Sequence, residues 1–299
     1  MTQRKVALVL GGGGARGLAH IGVLRALAEH GVPIDMVAGT SFGALVGGLY
    51  ASGLRVEAIE RAVRTVNKTF IAKVLSPSLT TSGLVKGDRV RHYLKSLIGD
   101  ACIEHFAIPF AAIATDLGSG EELVLNSGPA VEAIMASIAI PVMFKPVLYQ
   151  NRYVIDGGLV NPLPVSAASA LGADVVIAVN VHPHPANLAH KQRQSKAKSG
   201  KQTESAPSQL EIHREPTPPH SLLAVLTQSI VITENNLLMA RLSGERPDIL
   251  ISPDCSKYDF LGFHRAQELI EVGKAAAIKA LPDIARLVPG GFPQEGMRL

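Results

Sequence analysis

Two short apolar segments each run through a glycine-rich turn into a helix-like segment. KVALVL (5–10) precedes GGGGARG (11–17), and IDMVA (34–38) precedes GTSFG (39–43). A short continuous apolar run between turn signals is consistent with a strand buried on both faces, and such strands are typical of parallel sheets covered by helices. The pattern therefore predicts an α/β fold.

The remainder of the chain continues this alternation of strands and helices. Predicted helices cover residues 16–31, 43–53, 55–66, 88–98, 129–140, 165–172, 221–242 and 264–280. Predicted strands cover 109–116, 121–126, 173–181 and 248–253, with a hairpin at 147–158. Strands that alternate with helices indicate a mostly parallel central sheet covered on both faces. The length allows one large α/β domain or two small ones.

Composition excludes several classes of protein. No apolar run reaches the roughly 18 residues of a membrane span, and glycines end the first apolar run too early for the core of a signal peptide. Cys102 and Cys255 are far apart and form no CxxC pair, so neither a disulfide framework nor a structural zinc site is expected. No HExxH motif occurs. We therefore expect a soluble cytoplasmic protein with no metal and no cofactor.

The positive charge is concentrated in residues 182–220. This segment has six basic and three acidic residues, which accounts for +3 of the net charge of +4. It is rich in Pro, Ser, Gln and Lys, so we predict a disordered basic insert. A tolerated surface insertion is the favoured interpretation, and a flap that contacts anionic lipid is the alternative. No tryptophan is present and no aromatic residue lies among the basic ones, so nucleic-acid binding is not expected.

The segment GTSFG places Ser41 between Gly39 and Gly43, where a strand meets a helix. A tight turn of this kind projects a serine side chain away from the backbone, and glycines on both sides allow the turn to close. Such a serine is a candidate nucleophile for acyl transfer. The alternative is an ordinary β–α turn in which the serine caps the helix.

The glycine loop at 11–17 contains a GxGxxG pattern that begins at Gly12 and includes Gly14 and Gly17. Its N–H groups could bind a pyrophosphate or a tetrahedral oxyanion at a helix N-terminus. A dinucleotide site would need an acidic residue at the end of the second strand, and a Walker loop would need a lysine after the last glycine. Both are missing, so nucleotide binding is disfavoured. The alternative that the loop serves only to pack the strand against the helix remains open.

The segment DGG brings Asp156, Gly157 and Gly158 to the end of a predicted strand. A carboxylate there could orient and deprotonate Ser41. The alternative is a simple Asp-Gly turn.

Histidines offer a different candidate base. Those that follow the DGG segment are His182, His184, His190, His213, His220 and His264. His182, at the end of a strand, is the best placed, but most of the others fall in the predicted disordered insert. A base on such a loop would be poorly preorganised, so a catalytic histidine is disfavoured. His20 and His30, in the first helix, are interpreted as packing or surface residues.

With these motifs in this order, the chain resembles the patatin-like phospholipases, and in particular bacterial members related to the esterase domain of neuropathy target esterase. The resemblance runs from KVALVLGGGGARG through GTSFG to ASIAIPVMFKPVLYQNRYVIDGGLVNPLPV and AVNV, about residues 5–181. It implies a three-layer α/β/α fold and a Ser-Asp dyad without histidine. We expect a single acyl hydrolase domain over 1–299, with the insert at 182–220 and a C-terminal helical part at 221–299.

The resemblance also implies a role for each matching residue. Ser41 becomes the nucleophile and Asp156 the general base, while Gly12, Gly13 and Gly14 form the oxyanion hole and Arg16 takes the family's basic position. The supporting motif residues are Gly17, Gly39, Gly43, Gly157 and Gly158. Departures from the family pattern, which bear on the acyl pocket, are Ile138, Val142 and Lys145.

The function that the resemblance implies is that of a lysophospholipase or phospholipase A-type esterase. Its substrate would be a lipid or lysophospholipid, reached by transient contact with a membrane surface, and the protein could be peripheral to the inner membrane face. A non-catalytic lipid- or partner-binding regulator on the same fold is the alternative, and a nucleotide-binding enzyme is a distant third.

Overall fold

The computed structural model describes residues 4–65, 87–183 and 222–288. The strands are β1 (Val6–Leu10), β2 (Met36–Thr40), β3 (Phe110–Asp116), β4 (Glu122–Leu125), β5 (Val147–Tyr149), β6 (Arg152–Asp156), β7 (Val175–Val179) and β8 (Ile249–Ile251). The helices are α1 (Ala19–Glu29), α2 (Phe42–Ala51), α3 (Val56–Thr65), α4 (Asp88–Ile98), α5 (Ala130–Ser137), α6 (Val165–Ala170), α7 (Leu222–Gly244) and α8 (Ala266–Leu287). Short 3-10 turns occupy Gly14–Leu18, Ile103–His105, Gly157–Leu159 and Phe263–Arg265.

The strands form one sheet in the order β5-β6-β3-β2-β1-β7-β8, and β4 also pairs with β3. The run from β3 to β8 is parallel. Strands β4, β5 and β6 are antiparallel to their neighbours. The predicted mostly parallel sheet is therefore confirmed, with antiparallel strands at one end.

Helices cover both faces of this sheet. Along β1, alternate side chains belong to two separate apolar clusters, with Leu8 in one and Val9 in the other. The first cluster contains side chains from α1 to α5 and from α8, and the second contains side chains from α6 and α7. Because successive strand residues face opposite sides of a sheet, this division confirms three layers, α/β/α.

A segment late in the chain holds the glycine loop in place. The N–H of Ala15 donates to the carbonyl of Phe260 at 2.8 Å, and Arg16 Nε donates to the carbonyl of Tyr258 at 3.0 Å. Helix α8 follows this segment and packs against α1 within the same apolar cluster. The loop between β1 and α1 is thus fixed by residues more than two hundred positions further along the chain.

The C-terminal boundary of the last helix differs from the prediction. The helix was expected to end at residue 280, before Pro282, yet α8 continues to Leu287. A proline inside a helix removes one hydrogen bond, but Leu281 and Ile284 are buried on either side of it. Their burial against the apolar cluster keeps the last turns helical.

Several predictions concern membranes, the location of the protein and the organisation of the chain beyond the fold itself. No helix in the described parts of the chain combines the length and the apolar character needed to cross a membrane. The predicted insert at 182–220 lies almost wholly outside the described residues, so its disorder stays a prediction. The single-domain organisation, the cytoplasmic location and the contact with a membrane surface also stay predictions.

Candidate active site

Ser41 occupies a sharp turn between β2 and α2. Its backbone φ of 55° and ψ of −126° are uncommon for a residue other than glycine, which indicates local strain. A methyl group added at Gly43 would lie 2.0 Å from the carbonyl oxygen of Leu10. Only glycine therefore allows α2 to begin so close to the end of β1. The turn leaves Ser41 only 4% exposed.

Asp156 accepts a hydrogen bond from the hydroxyl of this serine. Ser41 Oγ donates to Asp156 Oδ2 at 2.6 Å. The sheet explains how residues so far apart in sequence meet, because the neighbouring β3 residues Ile113 and Ala114 pair with Thr40 and Asp156 respectively. The ends of β2 and β6 are thereby brought together beside β3. The structure thus joins the two residues that were predicted as nucleophile and base.

The second carboxylate oxygen of Asp156 is also held. Gly158 N–H donates to Asp156 Oδ1 at 2.8 Å. Burial raises the pKa of Asp156 from 3.8 to about 7, although the hydrogen bonds from Ser41 and Gly158 act to lower it. A carboxylate whose pKa is near neutrality is a much better general base than an exposed one.

The glycine loop borders the serine, and its three predicted donors differ. An atom at the Cβ position of Gly12 would lie 3.5 Å from Ser41 Cβ. The Gly12 N–H donates to the carbonyl of Pro162 at 2.9 Å, so it is engaged within the fold. Gly13 and Gly14 have φ values of 149° and 57°, and no described residue accepts a hydrogen bond from either N–H. Gly13 and Gly14 therefore have N–H groups that could serve an oxyanion, whereas that of Gly12 is engaged, and the oxyanion hole itself stays a prediction.

Ser137, at the end of α5, was not singled out from the sequence. Its Oγ accepts a hydrogen bond of 2.9 Å from the N–H of Ser41. This bond fixes the strained turn and occupies a donor that could otherwise face an oxyanion. A lone serine in the apolar run ASIAI carries no recognisable local signal, so only the packed structure reveals its role.

Arg16 is buried beneath the glycine loop. It is 8% exposed, and burial lowers the pKa of its guanidinium from the ordinary value. Its role as the family's basic residue stays a prediction. The supporting glycines Gly17, Gly39 and Gly157 lie against neighbouring atoms at distances that leave no room for a methyl group.

The histidines in the described ranges make no hydrogen bond to Ser41. His20 is fully buried, and burial lowers its pKa to about 4, so the neutral ring donates from Nε2 to the carbonyl of Gly11 at 2.8 Å. His182 is buried as well, with a pKa lowered by burial to about 3. His30 contacts the carbonyl of Ala26. His264 is exposed, and the remaining histidines that follow Asp156 lie outside the described residues.

A second carboxyl group, which the sequence analysis did not identify, lies behind Asp156. Glu234 of α7 is 4% exposed. Burial, together with the negative charge of Asp156, raises the pKa of Glu234 to about 8. Its Oε2 lies 3.9 Å from His182 Nε2. One signal was available, because Glu234 is the single acidic residue in the sequence of α7.

On the other side of Ser41, a pocket opens with an apolar lining. Helices α2, α3 and α4 contribute to its walls, together with residues 138–144 and 260–263. Tyr93 is one of the lining residues, and its hydroxyl donates to the carbonyl of Ala62 at 2.8 Å. The pocket therefore offers apolar surface immediately beside the nucleophile candidate.

The departures from the family pattern fall at this pocket or near it. Ile138 contributes to the lining. Val142 has a φ of 72°, a conformation that is costly for a β-branched residue and suits glycine. Lys145 is half-buried close by. Of these three residues only Ile138 lines the pocket, so its side chain bears directly on the space beside Ser41.

No set of three or more His, Cys, Asp or Glu side chains in residues 4–65, 87–183 and 222–288 is arranged to hold a metal ion. Cys102 and Cys255 are both free thiols.

Comparison with known proteins agrees with this architecture. The family model described as Patatin-like phospholipase matches residues 8–169. An uncharacterized NTE family protein of Mycobacterium tuberculosis is 32% identical over 94% of this chain and 92% of its own length. Lysophospholipase NTE1 of Scheffersomyces stipitis is 32% identical over 60% of this chain, but the match spans only 12% of that much longer protein.

Among solved structures, VipD from Legionella pneumophila shares the fold. It matches with a TM-score of 0.55 and 14% sequence identity, over 94% of this chain and 67% of VipD. The family model covers more than half of the chain, and the mycobacterial relative is similar over nearly all of it. The chain therefore belongs to the patatin-like phospholipase family.

Proposed function

We propose that this protein is a serine acyl hydrolase that cleaves fatty-acyl esters of lipids, with lysophospholipids as the first substrates to test. The observation that carries the proposal is the 2.6 Å hydrogen bond from Ser41 Oγ to Asp156 Oδ2, in a strained turn beside an apolar pocket. The name of the related lysophospholipase NTE1 supports the substrate class.

The geometry suggests a two-step reaction. Asp156 takes the proton of Ser41 as Oγ attacks the ester carbonyl carbon, and the N–H groups of Gly13 and Gly14 donate to the oxyanion of the tetrahedral intermediate. Asp156 then returns the proton to the departing alcohol, which leaves an acyl ester on Ser41. Water attacks this ester with Asp156 again as base, and the fatty acid is released.

The apolar pocket accounts for an acyl chain in preference to a polar group. Each methylene moved from water into an apolar site contributes about 0.8 kcal/mol, whereas a polar group without a hydrogen-bond partner would be penalised. The acyl chain is therefore assigned to the pocket, with the carbonyl carbon at Ser41 and the head group towards solvent.

The decisive test is covalent labelling with a lipid-like fluorophosphonate, followed by intact-mass measurement. Wild type should gain the mass of one adduct, and Ser41→Ala should gain none. Ser52→Ala serves as the matched control, because Ser52 caps the end of α2 and donates to the carbonyl of Leu49. This control should be labelled like wild type.

The competing interpretation is a lipid-binding regulator that has kept the fold. Such a protein would bind a fatty acid in the pocket but would leave the fluorophosphonate unreacted. Folded wild type that takes no label would therefore contradict the hydrolase proposal and favour the regulator. If labelling occurs, release of fatty acid from lysophosphatidylcholine, followed by mass spectrometry, tests the substrate class.

A further inference from the structure

Glu234 and Asp156 approach the same small space from two different elements. A methyl group added at Gly158 would lie 2.4 Å from Glu234 Oε1 and 3.2 Å from Asp156 Oδ1. The absence of a side chain at this glycine is what allows the carboxyl group of α7 to reach the turn that follows β6. The second carboxyl group therefore lies beside the turn that carries the base and is not a distant core residue.

Several polar atoms of Glu234 and of two residues near it are buried without hydrogen-bond partners among the described residues. They are Arg16 Nη1, both ring nitrogens of His182, and Glu234 Oε2. Buried polar groups in folded proteins are almost always paired, and unpaired ones require an explanation. His182 Nε2 lies 3.9 Å from Glu234 Oε2, and the charges of Arg16 and Glu234 act on each other, so these three side chains form one polar cluster.

The charges of these groups constrain one another. Two buried carboxyl groups in close proximity cannot both ionise freely, so they titrate as a pair. Burial raises the pKa of Asp156 to about 7 and that of Glu234 to about 8, with the charge of Asp156 adding to the latter. Near neutral pH the pair therefore retains about one proton, which belongs to the two carboxyl groups together.

The other titratable groups nearby keep their charge states across this range. His182 stays neutral because burial lowers its pKa to about 3. Cys255, near Arg16, stays a neutral thiol because burial raises its pKa to about 12. The guanidinium of Arg16 stays charged, and its attraction lowers the pKa of Glu234. Asp259 is a further charged group beside Arg16.

We infer that Glu234 is a positioning residue for the reaction, a carboxyl group that shares one proton with Asp156 and thereby controls how readily Asp156 takes the proton of Ser41. The inference rests on the proposed function. Glu234 does not touch the ester. It acts through the charge it places next to the base.

This arrangement should give the reactivity of Ser41 two ascending steps with pH. The first step follows ionisation of Asp156, which creates the base. The second follows ionisation of Glu234, because a negative charge beside Asp156 strengthens its hold on a proton. We expect the second step to raise the rate about three- to tenfold, since one neighbouring charge typically changes basicity by about a unit or more.

The experiment measures the second-order rate of labelling by the fluorophosphonate from about pH 5 to about pH 9.5, the range that spans both titrations. Labelling requires only the activated serine, so deacylation and lipid binding do not enter. Glu234→Gln preserves size and hydrogen-bonding capacity but cannot ionise. It should keep the first step and lose the second.

Two controls accompany this series. Glu29→Gln removes a carboxylate from the end of α1, where it pairs with Lys274 far from the dyad, and should keep both steps. Ser41→Ala gives the background reaction of the reagent at each pH. Melting curves recorded for every variant show that it is folded.

Each outcome bears on the inference separately from the hydrolase proposal. A single step in wild type overturns the inference, whether or not Glu234→Gln folds. A Glu234→Gln variant that is slower at every pH but keeps both steps also overturns it, because a merely structural residue would behave in this way. Wild type that takes no label at any pH overturns the proposed function, and the inference with it.

Discussion

The two sides of the Ser41–Asp156 pair are built from opposite chemistry. Towards the substrate lies a pocket whose walls are apolar. The other region is the polar cluster of Arg16, His182 and Glu234, which are all buried and all have polar atoms that lack partners among the described residues. The pocket can recognise a ligand by the surface that it buries. The polar cluster has no comparable surface to offer, and we infer that Glu234 acts through its charge beside Asp156.

This contrast separates substrate selection from the tuning of the base. Apolar recognition accumulates in small steps, one methylene at a time. Electrostatic interactions at a buried site are larger per contact because the local dielectric constant is low. Substitutions on the two sides should therefore alter different quantities, namely chain-length preference on one side and pH dependence on the other.

The largest effect should come from removing the carboxylate of Asp156, which both regions serve. Asp156→Asn keeps the shape of the side chain but removes the base, and general-base catalysis contributes about 10²–10⁴ in rate. Labelling by fluorophosphonate and ester hydrolysis should both fall by about that factor. Near-normal rates in folded Asp156→Asn protein would remove Asp156 from the mechanism.

A somewhat smaller effect is expected at the glycine loop. In Gly14→Ala the new methyl group would lie 2.5 Å from the carbonyl oxygen of Phe260, at a φ of 57°. The donor would be displaced, and the rate should fall about 10²–10³-fold, the usual result of losing an oxyanion-hole hydrogen bond.

Gly12→Ala is the matched comparison for this loop. Its N–H is already bonded to Pro162, and its added methyl meets only ordinary contacts. Hydrolysis and melting temperature should change far less than in Gly14→Ala. Equal losses in the two variants would show that the loop is sensitive to any substitution, and would leave its donors unassigned.

The raised pKa values of the two buried carboxyl groups should also make the stability of the protein depend on pH. Asp156 and Glu234 have folded-state pKa values raised to about 7 and about 8, so the native state retains protons that the unfolded chain releases. Their contribution is therefore lost as pH rises through these values. The buried neutral histidines His20 and His182 change the stability with pH only below about 6.5, their ordinary pKa.

Between about pH 6.5 and pH 8, the free energy of unfolding should thus decrease by about 2 kcal/mol in wild type. Glu234→Gln should show less than half of that decrease. Urea denaturation at several pH values measures both. A flat profile across this interval in wild type would mean that the carboxyl pair titrates normally.

The smallest effect should come from single methylene changes in the acyl chain that the apolar pocket is proposed to bind. With p-nitrophenyl esters of increasing acyl length, each added methylene should raise kcat/KM about three- to fourfold until the pocket is filled, which corresponds to about 0.8 kcal/mol. Val90→Asp places a charge on the wall formed by α4. It should flatten this dependence while leaving acetyl esters nearly unaffected. A wild-type series without chain-length dependence would argue against the acyl pocket.

Local motifs sufficed to single out Ser41 and Asp156, the two residues that the structure joins by a hydrogen bond. Ser41 and Asp156 each lie where an apolar strand ends in a glycine turn, and this turn chemistry depends on only a few neighbouring residues. The strand and helix positions followed for the same reason, since apolar periodicity is a local property. The prediction for α8 was wrong only at its end, where burial of Leu281 and Ile284 outweighs the disruption by Pro282.

What the sequence could not provide depends on packing between distant segments. The Gly12 N–H is taken by Pro162, and the Ser41 N–H by Ser137. Neither partner can be anticipated from its neighbours in the chain. Glu234 was missed because its position against Gly158 arises only when α7 packs on the sheet. The single available indication was that Glu234 is the one acidic residue of α7.

The bonds that join the glycine loop to Tyr258 and Phe260 also bear on how the protein is made. The residues that support the loop follow it by more than two hundred positions in the chain. During translation, β1, β2 and the Ser41 turn would emerge long before the segment that holds the loop. The nascent chain should therefore be unreactive towards fluorophosphonate until that segment has left the ribosome, so acquisition of label would report completion of the fold.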